Sequence, residues 1–453
     1  MIEDGAKTGG VPRWGRVALI LLAVKLVYLA GISAAVWRWP DFNAERAARI
    51  GEHWFPAGWA PGTRGEIARH FATWDAEHYL YLSAAGYRPE ARSRAFYPLW
   101  PLAIRAGTAV TGLGPEVVGL ALANLFSLAG WLLFHRAAAR RFGERTADVA
   151  LALLVAFPGA LFFQFIYSES LFFLLIMILW WGLERRRYGP AGVAAFLAPL
   201  TRGVGAFAVL PLAWHAWSVA SPGWLERIRA RGRAAIAGRG LSGGGEASGK
   251  DAGRQRNSEA GPEAAELNAA TDGCATGRVG ESGLQRRARW TPWWLVGMPA
   301  LGWAAYLGLM WVWTGDPWAG IAAQKYWGVH SIANLWDLPK FARGFFEVTT
   351  WHGFMGSLLD RIGFLLLLYA LPALWRRGRD LLAWTLMLGV VPAMSGTFVS
   401  FLRFESCVFP VFLAWALFFT GRRRRWPLAG SLALSLLLHG ILLWRFVNYR
   451  WAG

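Results

Sequence analysis

The sequence predicts an all-α polytopic membrane protein of about eleven transmembrane helices, with a large first external loop carrying surface helices. Three observations predict it. Hydrophobic residues make up 55% of the 453 residues and charged residues only 17%, which is not the balance of a water-soluble chain. Apolar stretches close to the ~20 residues that cross a bilayer recur from residue 17 to residue 446. The arginines cluster at the ends of those stretches, at Arg140-Arg141, Arg185 to Arg187, Arg376-Arg377-Arg379 and Arg422 to Arg425. Such clusters mark the cytoplasmic side of a multi-pass protein. The net charge of +19 therefore belongs to helix ends and not to a nucleic-acid face, for which no motif is present. Solid apolar runs in place of alternation exclude an outer-membrane barrel. Cys274, in a polar loop, and Cys407, in an apolar run, make no disulfide scaffold.

The first span is Val17 to Trp37, behind Lys7, Arg13 and Arg16, which sets the N-terminus in the cytoplasm. Ser33-Ala34-Ala35 offers a cleaved signal peptide as the competing reading; the many spans that follow favour an uncleaved helix. Lys25, inside this span, is expected to snorkel to the near surface. Residues 38–95 are polar and lie outside by alternation. Phe96 to Gly112 is apolar but short, with Pro98, Pro101 and Arg105, and reads as a helix lying on the outer surface. If it crossed, Arg136, Arg140, Arg141 and Arg145 would fall outside; if it does not, the helix Glu116 to Phe134 delivers them inside.

Alternation then continues. Ala147 to Phe163 goes out and Ser168 to Leu183 returns. Pro190 to Trp217 reads as two short helices meeting near Thr201-Arg202-Gly203. Residues 221–290, rich in Gly, Ala, Arg and Glu, read as a disordered cytoplasmic loop. Trp293 to Trp313 goes out, 315–360 is a second external loop, and Ile362 to Trp375 comes in. Leu381 to Val399, Phe404 to Phe419 and Pro427 to Phe446 complete eleven crossings. The chain thus divides into an N-terminal transmembrane module (1–220) with its first external loop at 38–115, the cytoplasmic loop, and a C-terminal transmembrane module (291–453). No internal repeat is apparent, which speaks against an inverted-repeat transporter.

Polar residues at or just outside the membrane carry the chemistry. In Thr73-Trp74-Asp75-Ala76-Glu77-His78-Tyr79, a helix would put Asp75, His78 and Tyr79 on one face. A carboxylate there can take a proton from a hydroxyl; equally, it can simply favour a helix N-terminus. Ala95 to Pro101, with Tyr97 between aromatics and prolines, is a stiff entry to the surface helix or an interface anchor. Glu169, in Tyr167-Ser168-Glu169-Ser170, either starts a helix or faces the same cavity as Asp75. Arg202, Lys325 and Arg403 are the cations that could hold a phosphate; pairing with Glu169 or Glu405 is the alternative for the two arginines. His352 is a further polar candidate. Trp327 and Trp351 can stack on a sugar or anchor at the interface. No GxGxxG, P-loop, HExxH or CxxC motif is present.

Taken in order, Trp74-Asp75-Ala76, Phe96-Tyr97-Pro98, Glu169, Arg202-Gly203, Gly315-Asp316-Pro317, Gln324-Lys325-Tyr326-Trp327-Gly328 and Arg403 before Phe409-Pro410 resemble the PIG-V mannosyltransferase family, which has bacterial relatives. The resemblance covers most of the chain outside 221–290. Tyr97 stands where the family often has Phe. It implies a GT-C type membrane glycosyltransferase that takes a mannosyl or related sugar from a polyprenyl-phosphate carrier on the non-cytoplasmic face. The acceptor would be a lipid, a glycan or a protein. Asp75 takes the place of the family's base, with Glu169 as the second acidic candidate. Trp74, His78, Tyr79, Tyr97, Arg202, Lys325, Trp327, His352 and Arg403 are the expected substrate-binding residues. No cofactor is required on this reading; a divalent metal on Asp75 and Glu169 is the open alternative. The expected location is a bacterial plasma membrane, with the N-terminus cytoplasmic. The rival class is a transporter or flippase for a lipid-linked or anionic substrate, using the same arginines without a base.

Overall fold

The computed structural model describes residues 13–56, 59, 66–221, 292–327, 337–394, 398–420 and 424–453. The loop expected at 221–290 lies outside the described residues from 222 on, as do Lys7, Cys274, Gly328 and Arg422-Arg423. The chain forms two compact units, 1–215 with 293–453, and 216–292. Of the second, the structure describes the end of one helix, up to Ser221, and Pro292. Everything that follows concerns the first.

The helices in order are α1 (Arg13–Arg38), α2 (Ala44–Trp54), α3 (Asp75–Ala85), α4 (Leu99–Thr111), α5 (Pro115–Phe142), α6 (Glu144–Ala156), α7 (Glu169–Glu184), α8 (Tyr188–Thr201) and α9 (Val209–Ala220). Then come α10 (Met298–Thr314), α11 (Ala319–Ala323), α12 (Leu338–Phe346), α13 (Leu358–Arg377), α14 (Arg379–Thr385), α15 (Phe401–Glu405), α16 (Phe409–Phe419) and α17 (Arg425–Val447). Tight 3₁₀ stretches at Pro158–Phe163 and Gly203–Ala208 link α6 to α7 and α8 to α9. The architecture among the described residues is all-α; the one β contact is an isolated bridge, Thr350 to Ser357.

Six helical segments are long and apolar enough to cross a membrane: α1, α5, Gly203–Ala220, Pro292–Thr314, α13 and α17. The other apolar runs are shorter than the sequence pattern suggested, because proline interrupts them. A proline has no N–H to donate and its ring crowds the preceding turn. So α6 stops at Ala156 ahead of Pro158, α8 ends two residues after Pro199, and α16 starts at Pro410 and runs 11 residues. These short helices form the interior. α7 is apolar nearly all round and is buried on nearly all sides. Trp131 and Phe134 of α5 meet Phe163 and Phe173, and Trp180 packs on Phe409 at 4.6 Å. The long helices form the rim: Leu19, Ile20, Leu26 and Val27 of α1 and Leu434, Leu436 and Leu437 of α17 are exposed, as lipid-facing residues are.

Two details depart from the sequence expectation. α5 does not end at Phe134. It runs on through the Ala137-Ala138-Ala139 stretch of strong helix formers to Phe142, where Gly143 turns the chain at φ +86°. That extension carries Arg141 into a two-pronged contact with Asp380, 2.6 Å for each bond, and a third bond to Glu184. Nor does Lys25 snorkel. It is 2% exposed and its ammonium donates inward to Asn124 Oδ1 (3.2 Å), Ser127 Oγ and Gln164 Oε1 (both 2.8 Å), above the Trp131 ring. Three oxygens and a π-face inside the bundle replace the water it would otherwise reach for. Lys25→Met is expected to leave those acceptors unpaired and to cost about 1–3 kcal/mol, read as a lower melting temperature of the detergent-solubilised protein.

Candidate active site

The helices that carry Asp75 and Arg403 both start at a non-glycine residue in the left-handed region. Trp74 has φ +57° and Ser400 φ +58°, a conformation that persists only where the surroundings hold it. For Trp74 the holders are visible. Its indole stacks on Tyr449 at 5.0 Å, and the Arg46 guanidinium lies 5.2 Å from the same ring. The turn delivers Asp75 as the first residue of α3, where the helix dipole favours a carboxylate. The Tyr167 hydroxyl fixes this corner, accepting from the Asp75 N–H at 3.1 Å and donating to the Thr73 carbonyl at 3.2 Å.

Two arginines converge here from other helices. Arg202 follows Thr201, where α8 ends and the backbone becomes extended (φ −154°, ψ 140°) before the 3₁₀ stretch. Its Nη1 donates to Glu169 Oε1 at 2.5 Å and to Ser168 Oγ at 3.3 Å. Arg403, on α15, donates through Nη1 to Asp75 Oδ2 at 2.5 Å and through Nε to the same Glu169 oxygen. The planar fork of one guanidinium thus bridges two carboxylates. Its rim rests on the Tyr167 ring at 4.6 Å, while Arg202 lies 4.7 Å from the Phe404 ring. Glu169 is fully buried behind both arginines; the Asp75 side chain keeps 23% of its surface. Of the two acids, only Asp75 is open to a substrate.

Asp75, Arg202 and Arg403 line a cavity of about 390 Å³. Near Arg202 its wall is Gly203, Val204, Tyr97 and Trp303. Gly203 sits so close to the Tyr97 hydroxyl that a Cβ there would collide with it. One turn along α3 from Asp75, the wall turns aromatic. His78 stacks on Phe96 at 4.8 Å and gives Nδ1 to Ser93 Oγ at 2.8 Å. Trp327 meets it edge-on at 5.3 Å and packs on Trp54 at 4.5 Å. Trp451 and Phe354 close a third side.

Trp74, Asp75, His78, Tyr79, Tyr97, Arg202, Trp327 and Arg403 all line this cavity. Glu169 touches it only through the arginines. Lys325 is exposed and lies beside the Tyr326 ring, away from the cavity wall. His352 is buried behind the wall, with Nδ1 3.2 Å from Ser357 Oγ. Trp54 was not legible as a site residue. It lies in a stretch that reads as polar loop, yet Ile50 and Trp54, four apart on the amphipathic α2, both reach the cavity. Trp303 and Trp451 carried no signal beyond being aromatic. A second cluster of ligand-type groups, His135, Glu144 and Asp148, already has a cation: Arg13 bonds Asp148 at 2.5 Å and lies 3.4 Å from Glu144.

Burial pushes the Tyr79 hydroxyl up to about 12, so it stays neutral and bonds Ser168 Oγ at 2.9 Å. Burial pushes His78 down to about 3. An unfolded histidine titrates near 6.5. The stability gained by keeping His78 neutral is therefore complete above about pH 6.5. It is lost as pH falls from there toward 3, at up to about 1.4 kcal/mol per pH unit. His352, pushed down to about 4 by burial, acts in the same direction. Thermal unfolding between pH 7.5 and 5 is expected to show this decline, and His78→Phe is expected to flatten it.

Fold and site together define an all-α, multi-pass membrane protein with a carboxylate held beside two buried arginines in a partly aromatic cavity. Residues 19–226 match the mannosyltransferase (PIG-V) family, which bears out over that part of the chain the resemblance carried by the motifs. GPI alpha-1,6-mannosyltransferase 2 of Cricetulus griseus is 34% identical over 158 residues, 33% of this chain and 31% of that protein. The Rattus norvegicus protein of the same name is 34% identical over 146 residues, 30% of each. The matched part spans just under a third of the length of these curated relatives. The matches support a glycosyltransferase of the mannosyltransferase kind.

Proposed function

We propose that the chain transfers a mannosyl residue from a polyprenyl-phosphate carrier to a hydroxyl of a lipid, glycan or protein acceptor, on the non-cytoplasmic face of a bacterial plasma membrane. The observation that carries the proposal is the part-exposed Asp75 carboxylate facing the cavity beside two arginines. In the proposed step Asp75 takes the proton of the acceptor hydroxyl. The oxygen attacks the anomeric carbon as the bond from that carbon to the phosphate oxygen breaks, so the carbon inverts. The departing phosphate keeps the electron pair, and Arg403 and Arg202 face the added charge. Asp75 then returns its proton to water.

Arg403 begins this sequence bound to Asp75. A phosphate entering the cavity offers the same guanidinium a better-charged partner, and the exchange frees Asp75 to act. The step uses this chain's own residues. A divalent ion between Asp75 and Glu169 fits poorly, because the Arg403 guanidinium already bridges those two carboxylates. Eleven crossings with a cytoplasmic N-terminus remain the proposed topology, with the six long apolar segments accounting for part of it.

Transfer from radiolabelled polyprenyl-phospho-mannose into endogenous lipid and protein, in membranes carrying the wild-type chain, tests the reading. Label is expected in a new product. Label that reaches the other leaflet with the donor intact would instead establish the transporter class.

A further inference from the structure

Arg403 must reach three places, Asp75, Glu169 and an incoming phosphate, from a helix of five residues. A long side chain alone does not fix that reach; the backbone beneath it does. That backbone is clamped at Leu402. On one side Gly159 packs so closely against the Leu402 carbonyl that a Cβ would collide with it. On the other, Asp360 of α13 accepts the Leu402 N–H at 2.9 Å. Asp360 is fully buried. It does not pair with its neighbour Arg361, which spends its donors on the carbonyls of Gly344, Phe345, Glu347 and Ser357. Behind it stands His352, with Nδ1 3.6 Å from the second Asp360 oxygen. A buried acid turned away from the adjacent cation and onto one backbone N–H is placed to hold that N–H.

We propose that Asp360 is a positioning residue for Arg403. Its carboxylate, backed by His352, holds the Leu402 N–H and so sets where the Arg403 guanidinium stands relative to Asp75 and the donor phosphate. This rests on the reading above, in which Arg403 faces the phosphate. It also gives His352 a place behind the cavity wall that requires no contact with substrate.

The test is a double-mutant cycle on transfer from radiolabelled polyprenyl-phospho-mannose to endogenous membrane acceptors, run beside melting temperatures of the same full-length proteins. Asp360→Leu is expected to lower kcat/KM for the donor at least about tenfold. Asp360→Asn, whose amide oxygen accepts the same bond, is expected to restore it to within about threefold. In an Arg403→Gln background, Asp360→Leu is expected to change the residual transfer by less than twofold while still lowering the melting temperature. Should Asp360→Leu fail to fold, Asp360→Ser, too short to reach the Leu402 N–H, takes its place. A further tenfold loss in the Arg403→Gln background, or an Asn variant as impaired as Leu, overturns the positioning role and leaves the functional reading intact. Wild-type protein that transfers no label overturns both.

Discussion

Asp75→Asn is expected to reduce mannosyl transfer by about 10²–10⁴-fold, the range over which a positioned general base acts, with the melting temperature nearly unchanged. The amide has the size of the carboxylate and still accepts from Arg403, so the contact between α3 and α15 survives. What it lacks is the capacity to take a proton from the acceptor hydroxyl. The side chain is part-exposed, so neutralising it strands no deeply buried charge. Glu169→Gln supplies the contrast. Glu169 is fully buried and is the shared partner of Arg202 and Arg403. Its neutralisation leaves two buried cations under-compensated, and a fall in stability of about 3–5 kcal/mol is expected. A folded, inactive Asp75→Asn beside a destabilised Glu169→Gln identifies Asp75 as the base. The reverse pattern would transfer that role to Glu169.

Arg403→Gln carries the second large effect. Removing a preorganised charge that faces a leaving group costs about 10²–10³ in kcat. Glu169 also loses one of its two partners. Arg403→Lys separates the two consequences. A lysine keeps the charge but presents a single point in place of the planar fork, so it cannot serve both carboxylates in the same way. Its stability is expected to recover further than its rate. Kinetics with polyprenyl-phospho-mannose and melting in parallel would read both. A lysine variant with full activity would mean that charge alone, and not the fork, is what the phosphate meets.

Much of this was open to a reader of the sequence, for stated reasons. Arginine clusters report sidedness because crossing a membrane with them is costly, so the surface helix after Pro98 and the break at Arg202 both followed from charge and proline. Asp75, His78 and Tyr79 share a face by helical spacing alone. The meeting at Glu169 was not legible, since Arg202 and Arg403 reach it from 33 and 234 residues away. A pattern can say that each arginine needs a partner but cannot say that the partner is shared. The inward turn of Lys25 was hidden likewise: its acceptors Asn124, Ser127 and Gln164 lie on α5 and just beyond the following 3₁₀ stretch. Trp54 was masked by the charged residues around it on α2.

The guanidinium shared between Asp75 and Glu169 also bears on how a catalytic cycle ends. Once the sugar has moved, polyprenyl phosphate is left holding Arg403, and a tightly held product would stall the enzyme. Asp75, a proton lighter after exchange with water, sits within reach of the same guanidinium and is the natural rival for it. The acid that starts the reaction thereby helps to evict what the reaction leaves behind. Product inhibition by free polyprenyl phosphate should accordingly be stronger in Asp75→Asn, whose neutral amide is a poorer competitor.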